Sequence, residues 1–101
     1  MMEKRRPHYD LVEIKATVTR LRGAAFTRTA LIGGQAMGLT RTEMLSVIAS
    51  LSRLDFYKSM TSNDDHRVWQ DVYHAATPMR IDAYIKLTLR SEAPVIQFKE
   101  K

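Results

Sequence analysis

Cysteine is absent from the 101 residues, and its absence removes disulfide frameworks, thiolate metal sites and cysteine nucleophiles together. A reducing compartment suits such a chain, so the cytoplasm is the expected location. Long apolar runs are also missing: the most hydrophobic stretches are broken by Arg, Lys, Asp or Glu well short of the roughly 18 to 20 residues that a spanning helix needs. A soluble protein without membrane attachment is expected. Met1 to His8 carries Lys4, Arg5 and Arg6 like the basic start of a signal peptide, but the apolar segment that should follow is not there. Only three histidines occur, and they are scattered, so no metal site is expected. No P-loop, Gly-rich dinucleotide fingerprint, His-Glu-x-x-His helix or Gly-x-Ser-x-Gly elbow is present, and no cofactor is expected.

What is present is enough apolar material for one core: 45% of the residues are hydrophobic, which fits a single domain over residues 1–101. The net charge is +5, and it is unevenly spread. Residues 1–54 hold nine Lys/Arg against four Asp/Glu, whereas residues 55–101 hold seven of each. A basic balance favours a polyanionic partner such as nucleic acid, or an acidic protein.

The first half, residues 1–54, has helical patterning. Leu11, Ile14, Val18 and Leu21 form one apolar stripe, and Asp10 with Glu13 has the spacing of a capping box, so a helix runs from near Asp10 to near Gly23. Thr27 to Met37 predicts a short, weak helix because Gly33 and Gly34 each cost its interior roughly 1 kcal/mol relative to Ala. Gly38 suits a left-handed C-terminal position. Thr40 and Glu43 then have the spacing of a second capping box, with Leu39 and Met44 as a hydrophobic staple. Met44, Val47, Ile48 and Leu51 form the buried stripe of a third helix.

From Asp55 the pattern changes to short segments rich in aromatic and β-branched residues, punctuated by Ser62-Asn63-Asp64-Asp65, Pro78 and Pro94. Arg80 to Arg90 predicts the strongest strand, with Ile81, Ala83, Ile85, Leu87 and Leu89 on one face and Tyr84 and Lys86 on the other. The expected class is α+β, with N-terminal helices on one face of a C-terminal antiparallel sheet and the other face open to a ligand.

The chemistry-bearing residues lie on those strands: Phe56-Tyr57-Lys58, Trp69-Gln70-Asp71, Tyr84-Ile85-Lys86 and Phe98-Lys99. Ammonium groups beside rings suit RNA, pairing with phosphates while the rings stack on bases. Parity complicates the arrangement. Lys58 alternates in phase with Phe56 and Met60, and Gln70 with Val68 and Val72, so a bulge or an apolar RNA-binding patch is required to place them with Tyr84. Trp69 and Tyr73 are expected in the structure rather than on RNA, His66 is expected to stabilise a turn, and His8 and His74 have weaker claims to function.

Asp55-Phe56-Tyr57-Lys58-Ser59-Met60-Thr61, then Asp65-His66, then Trp69-Gln70-Asp71-Val72-Tyr73 resembles the centre of the motility quorum-sensing regulator (MqsR) toxins. Glu3-Lys4-Arg5 with Pro7-His8 resembles the family's opening, and Phe98-Lys99-Glu100-Lys101 its close. The departures lie in residues 15–50 and between His74 and Arg80. The resemblance implies a RelE-like fold, ribosome-independent endoribonuclease activity on mRNA, and a zinc-containing, helix-turn-helix antitoxin of the MqsA type, with no direct DNA binding expected of the toxin alone. It also implies cleavage residues at Lys58, Gln70 and Tyr84, and carries Lys99 over from the C-terminal block as an RNA contact; Lys86 and Tyr57 are RNA-binding candidates on their own chemistry, an ammonium for phosphate and a ring for bases. In that reading Lys58 stabilises phosphate charge, and can transfer a proton if neighbours lower its pKa; Tyr84 is the proton shuttle; Gln70 orients phosphate or base. A metal-independent ribonuclease needs such groups. Two other readings stay open on the residues themselves: a non-catalytic nucleic-acid-binding module gripping the backbone with its basic helices, Lys15 to Arg28, and an inactive toxin that only titrates its antitoxin.

Overall fold

The computed structural model describes all 101 residues. Strand β1 is Glu3–Lys4, followed by helices α1 (Leu11–Leu21), α2 (Arg28–Ala36) and α3 (Arg41–Ser50), and then by strands β2 (Phe56–Thr61), β3 (Trp69–Ala75), β4 (Ala83–Leu87) and β5 (Val95–Glu100). Short 3-10 turns at Arg22–Ala25 and Arg53–Asp55 join α1 to α2 and α3 to β2. The strands form one antiparallel sheet in the order β1-β2-β3-β4-β5. Helices pack against one face of this sheet, so the expected α+β class is found.

Local signals start and stop the helices where the sequence places them, with one exception. The Asp10 carboxylate accepts from Val12 N–H at 2.9 Å, but Glu13 does not return the bond, so the expected box at α1 is only a simple cap. At α3 the box is complete: Thr40 Oγ1 accepts from Glu43 N–H, and Glu43 Oε1 from Thr40 N–H. Helix α2 ends as expected at Gly38, whose φ of +83° suits a residue without a Cβ. Gly38 N–H donates to Gln35 O and Leu39 N–H to Gly34 O, so two otherwise orphaned carbonyls are satisfied.

Ile14, Val18, Met44, Val47, Ile48 and Leu51 meet Tyr73, Ile85, Leu87, Val95 and Phe98 in the core. Each fully buried aliphatic side chain there contributes about 1.5–3 kcal/mol. Helix α2 lies close against β5, and its two glycines explain how. A Cβ at Gly33 would collide with the backbone carbonyl of Phe98, and one at Gly34 with the Met44 side chain. The glycines that weaken the helix locally are what let it reach the sheet.

Two features depart from the sequence pattern. Strand β1 is too short for any periodic signal; it pairs Glu3 with Met60 and Lys4 with Ser59, and puts the first residues on the sheet edge. The strand expected over Arg80 to Arg90 is confined to Ala83–Leu87. Arg80 has φ +60°, its N–H donates to Thr77 O, and Thr77 Oγ1 donates to Ile81 O at 2.6 Å. That turn takes Arg80 and Ile81 out of the ladder. At the other end Thr88 N–H turns to Pro94 O.

Alanine at Gly33 would gain about 1 kcal/mol of helix propensity, but the clash is with backbone and cannot be relieved by a rotamer change. Gly33→Ala is therefore expected to destabilise the fold by about 1–3 kcal/mol net, and more than Gly34→Ala, where a flexible Met side chain can yield. Urea denaturation of both variants checks the order; unchanged or raised stability of Gly33→Ala contradicts it.

Candidate active site

The face of the sheet away from the helices carries the candidate residues. Strand β2 contributes to it through a bulge: Phe56 pairs with Tyr73, but Lys58 pairs with Val72, so Tyr57 is an extra residue. Phe56 can then face the core with Tyr73 while Lys58 faces the opposite side, which resolves the parity conflict. Continuing across the ladder, Lys58, Val72, Lys86 and Gln97 stand in one row. Met60 and Gln70 form the row on one side, and His74, Tyr84 and Lys99 the row on the other. The expected residues Lys58, Gln70, Tyr84, Lys86 and Lys99 thus share one face. Val72, at its centre, is fully buried, so the face has an apolar floor between two lysines.

Aromatic groups line the His74 side. Tyr57, 44% exposed, stacks on His74 with ring centroids 4.3 Å apart, and His74 lies 5.7 Å from Tyr84. Lys99 Nζ sits 5.2 Å from the Tyr84 ring and the Arg5 guanidinium 5.6 Å from the Tyr57 ring, distances at which a cation is attracted to the ring face. The Tyr84 hydroxyl approaches Met60 Sδ at 3.9 Å. The four concavities of the molecule avoid this face; the largest, about 570 Å³, is lined by residues such as Arg6, Asp10 and Arg53 at the opposite side of the sheet. The candidate site is therefore a shallow, cationic, aromatic surface, suited to an extended strand rather than a small molecule.

Electrostatics separate the groups. Lys58 Nζ donates to Glu3 Oε1 at 2.6 Å, and this bond holds the Lys58 pKa above the ordinary lysine value while lowering that of Glu3. The condition for proton transfer by Lys58, a pKa lowered by its neighbours, is thus not met, because its nearest neighbour is an anion. Tyr84 is raised by burial, so it keeps its proton. Lys86 is lowered, first by burial and then by Lys99 and Lys58. His74 is lowered by burial and by Lys101, which leaves a neutral imidazole at neutral pH. Tyr73, by contrast, is fully buried in the core with its hydroxyl unpartnered and is pushed up to about 12 by burial; it is no candidate for proton transfer.

Sequence reasoning missed Glu3 and gave His74 little weight. His74 shares parity with Gln70 and Val72, a signal that was there; Glu3 reaches Lys58 across 55 positions, for which there was none. Trp69 lies on the helix side, as its expected structural role requires: it stacks on His8 with centroids 5.4 Å apart, and Lys4 Nζ stands 4.2 Å from its ring. His66 is exposed in a turn that is held instead by Asp65, which accepts from Arg67 N–H and from its guanidinium. The arginines of α1 and α2 lie across the sheet from Lys58. Of the basic first half, it is the N-terminal segment, through Arg5, that reaches the site.

That segment is held by Asp71. Its carboxylate is fully buried and accepts from the backbone N–H of His8 at 3.0 Å and of Tyr9 at 2.9 Å. The Tyr9 hydroxyl adds a bond to Trp69 O at 2.9 Å.

Comparison with known proteins gives two matches. The family described as "Motility quorum-sensing regulator, toxin of MqsA" matches over residues 6–100. The curated mRNA interferase toxin MqsR of Escherichia coli (strain K12) is 41% identical over 100 residues, covering 99% of this chain and 100% of that protein.

Replacing Asp71 by Ala strands the two backbone donors. Asp71→Ala is expected to cost about 2 kcal/mol or more and to strip hydrogen-exchange protection from the His8 and Tyr9 amides, with Asp71→Asn losing less because one acceptor oxygen remains. Wild-type protection of both amides in Asp71→Ala would contradict this anchoring role.

Proposed function

The chain belongs to the motility quorum-sensing regulator toxin family, and on that premise we propose that it is the toxin of a toxin–antitoxin pair, an mRNA interferase that cuts mRNA in the cytoplasm without the ribosome or a metal ion. The observation that carries the reading is the gathering of Lys58, Gln70, Tyr84, Lys86 and Lys99 on the one sheet face that no helix covers. The Escherichia coli relative is an mRNA interferase toxin, which favours an enzyme over a module that only binds nucleic acid or titrates an antitoxin. The family description, a toxin of MqsA, supports an antitoxin partner; a zinc-containing, helix-turn-helix protein is the form we propose for it, with DNA binding left to that partner.

Metal-free cleavage of RNA proceeds by attack of a ribose 2′-oxygen on the adjacent phosphorus, with expulsion of the 5′-oxygen. Negative charge grows on the phosphate and must be met by fixed cations. Lys58 serves this purpose: its pKa is raised, so it is an ammonium throughout the neutral range. Tyr84 holds its proton until the departing 5′-oxygen demands it, which makes it the general acid. Gln70, an uncharged amide, orients phosphate or base by hydrogen bonding. Lys86 and Lys99 bind flanking phosphates, and Tyr57 offers a ring for base stacking.

Single-turnover cleavage of a defined RNA in EDTA-treated buffer tests the assignment. Lys58→Ala and Tyr84→Phe are expected to slow the wild-type rate by about 100-fold or more, and Gln70→Ala by about tenfold, the worth of one hydrogen bond. Lys86→Ala and Lys99→Ala are expected each to reduce the slope of log K against log salt by about 0.7 for single-stranded RNA. Wild-type rates in all three of Lys58→Ala, Gln70→Ala and Tyr84→Phe would sink the assignment.

A further inference from the structure

Cleavage as described above lacks one participant, the base that takes the 2′-hydroxyl proton. Lys58 and Tyr84 are both held in their protonated forms, and an amide such as Gln70 cannot accept a proton at neutral pH. Lys86, though lowered by burial and by Lys99 and Lys58, starts from the alkaline lysine range, and with Lys99 it is placed on flanking phosphates. Two groups remain on or beside this face that are unprotonated at neutral pH and close to the proposed machinery: His74 and Glu3.

Their positions differ. His74 shares a row with Tyr84 and Lys99, and one ring face is covered by Tyr57. Glu3 is in direct contact with Lys58, the phosphate-binding cation of the proposal. Only two ion pairs exist in the molecule, and Glu3 with Lys58 is the one on this face. One carboxylate oxygen, Oε1, accepts from Lys58; Oε2 accepts no hydrogen bond from the protein, and the Glu3 side chain is 41% exposed. The carboxylate thus has one oxygen engaged and one free.

The backbone beneath Glu3 is fixed on both sides. Met2 N–H donates to Thr61 Oγ1 at 2.8 Å and Thr61 N–H to Met2 O at 2.9 Å. Glu3 and Lys4 pair with Met60 and Ser59, and Asp71 holds His8 and Tyr9. A two-residue strand anchored in this way delivers one carboxylate to Lys58.

Resting on the proposed cleavage of RNA, we propose that Glu3 is the general base of the reaction: its free oxygen takes the 2′-hydroxyl proton while Lys58 meets the phosphate. In the step, the O2′–H bond breaks and its proton passes to Glu3, the O2′–P bond forms, and the P–O5′ bond breaks. Tyr84 gives its proton to the leaving oxygen. The products are a 2′,3′-cyclic phosphate and a 5′-hydroxyl, and the proton on Glu3 returns through solvent to the Tyr84 phenolate. Lys58 and Arg5 are the charges that act on Glu3, and both keep it ionised through the neutral range.

The test uses the full chain and an RNA whose only unblocked 2′-hydroxyl lies at the cleavage site. Glu3→Gln preserves shape and an oxygen for Lys58, but cannot accept the proton. It is expected to lower the single-turnover rate by about 100-fold or more without weakening RNA affinity, and to abolish the acidic limb over which the wild-type rate rises with pH. Glu3→Asp, which retains a carboxylate, is expected to keep that limb and part of the rate. Glu3→Gln within about threefold of wild type overturns the proposal, as does a loss confined to affinity. So does an acidic limb that survives Glu3→Gln but disappears in His74→Phe, since the base is then His74, or a rate that climbs only at alkaline pH, since the base is then a lysine. A wild-type chain that leaves this RNA intact refutes the functional reading itself, a result distinct from any of these.

Discussion

One extra residue in β2 decides what this sheet can do. Without the bulge at Tyr57, strict alternation would put Lys58 on the same side as Phe56, and a lysine beneath the helices would have to give up its hydration or unpack the core. With the bulge, Phe56 meets Tyr73 in the core while Lys58 stands opposite Val72 on the far face. Every other polar residue of the candidate site follows by ordinary alternation from the pairing of β3, β4 and β5, so the register established at this point fixes the whole cationic surface.

The division between the two faces also divides the charge. The basic residues of the helical layer, among them Lys15 and Arg20 of α1 and Arg28 of α2, sit behind the sheet. Charge at the site comes from Lys58, Lys86 and Lys99, joined by Arg5 through the N-terminal segment that Asp71 ties down. A buried carboxylate is costly unless its oxygens are satisfied, and here backbone N–H groups satisfy it. The same bonds that make Asp71 tolerable in the interior carry Glu3 to Lys58. With Asp71 anchoring one side and the Met2–Thr61 bonds the other, a two-residue strand can be ordered at the sheet edge.

Much of the architecture was legible because its determinants are local. The Thr40–Glu43 box, the Gly38 terminus and the apolar stripe of α3 are short-range signals, and each does in the fold what its chemistry requires. The extent of the strand around Tyr84 was misjudged, because alternation continues through Ile81 and Leu89 while hydrogen bonding is taken over by turns at Thr77–Ile81 and Thr88–Pro94. Lys58, Gln70 and Tyr84 came from resemblance to a family; periodicity alone placed only Tyr84 on a polar face. Glu3 was invisible for a physical reason. Its partner is remote in sequence, and a pairing of two residues leaves no pattern to read.

RNA is proposed to lie across the helix-free face. A 2′-deoxy analogue of the cleavage-site RNA, unable to supply the nucleophile, permits equilibrium mapping by amide and side-chain NMR shifts on the full chain. Perturbations are expected to centre on Lys58, Gln70, Val72, Tyr84, Lys86 and Lys99, with α1 and α3 unperturbed. Shifts centred on the helices, with the Lys58 row unchanged, would contradict it.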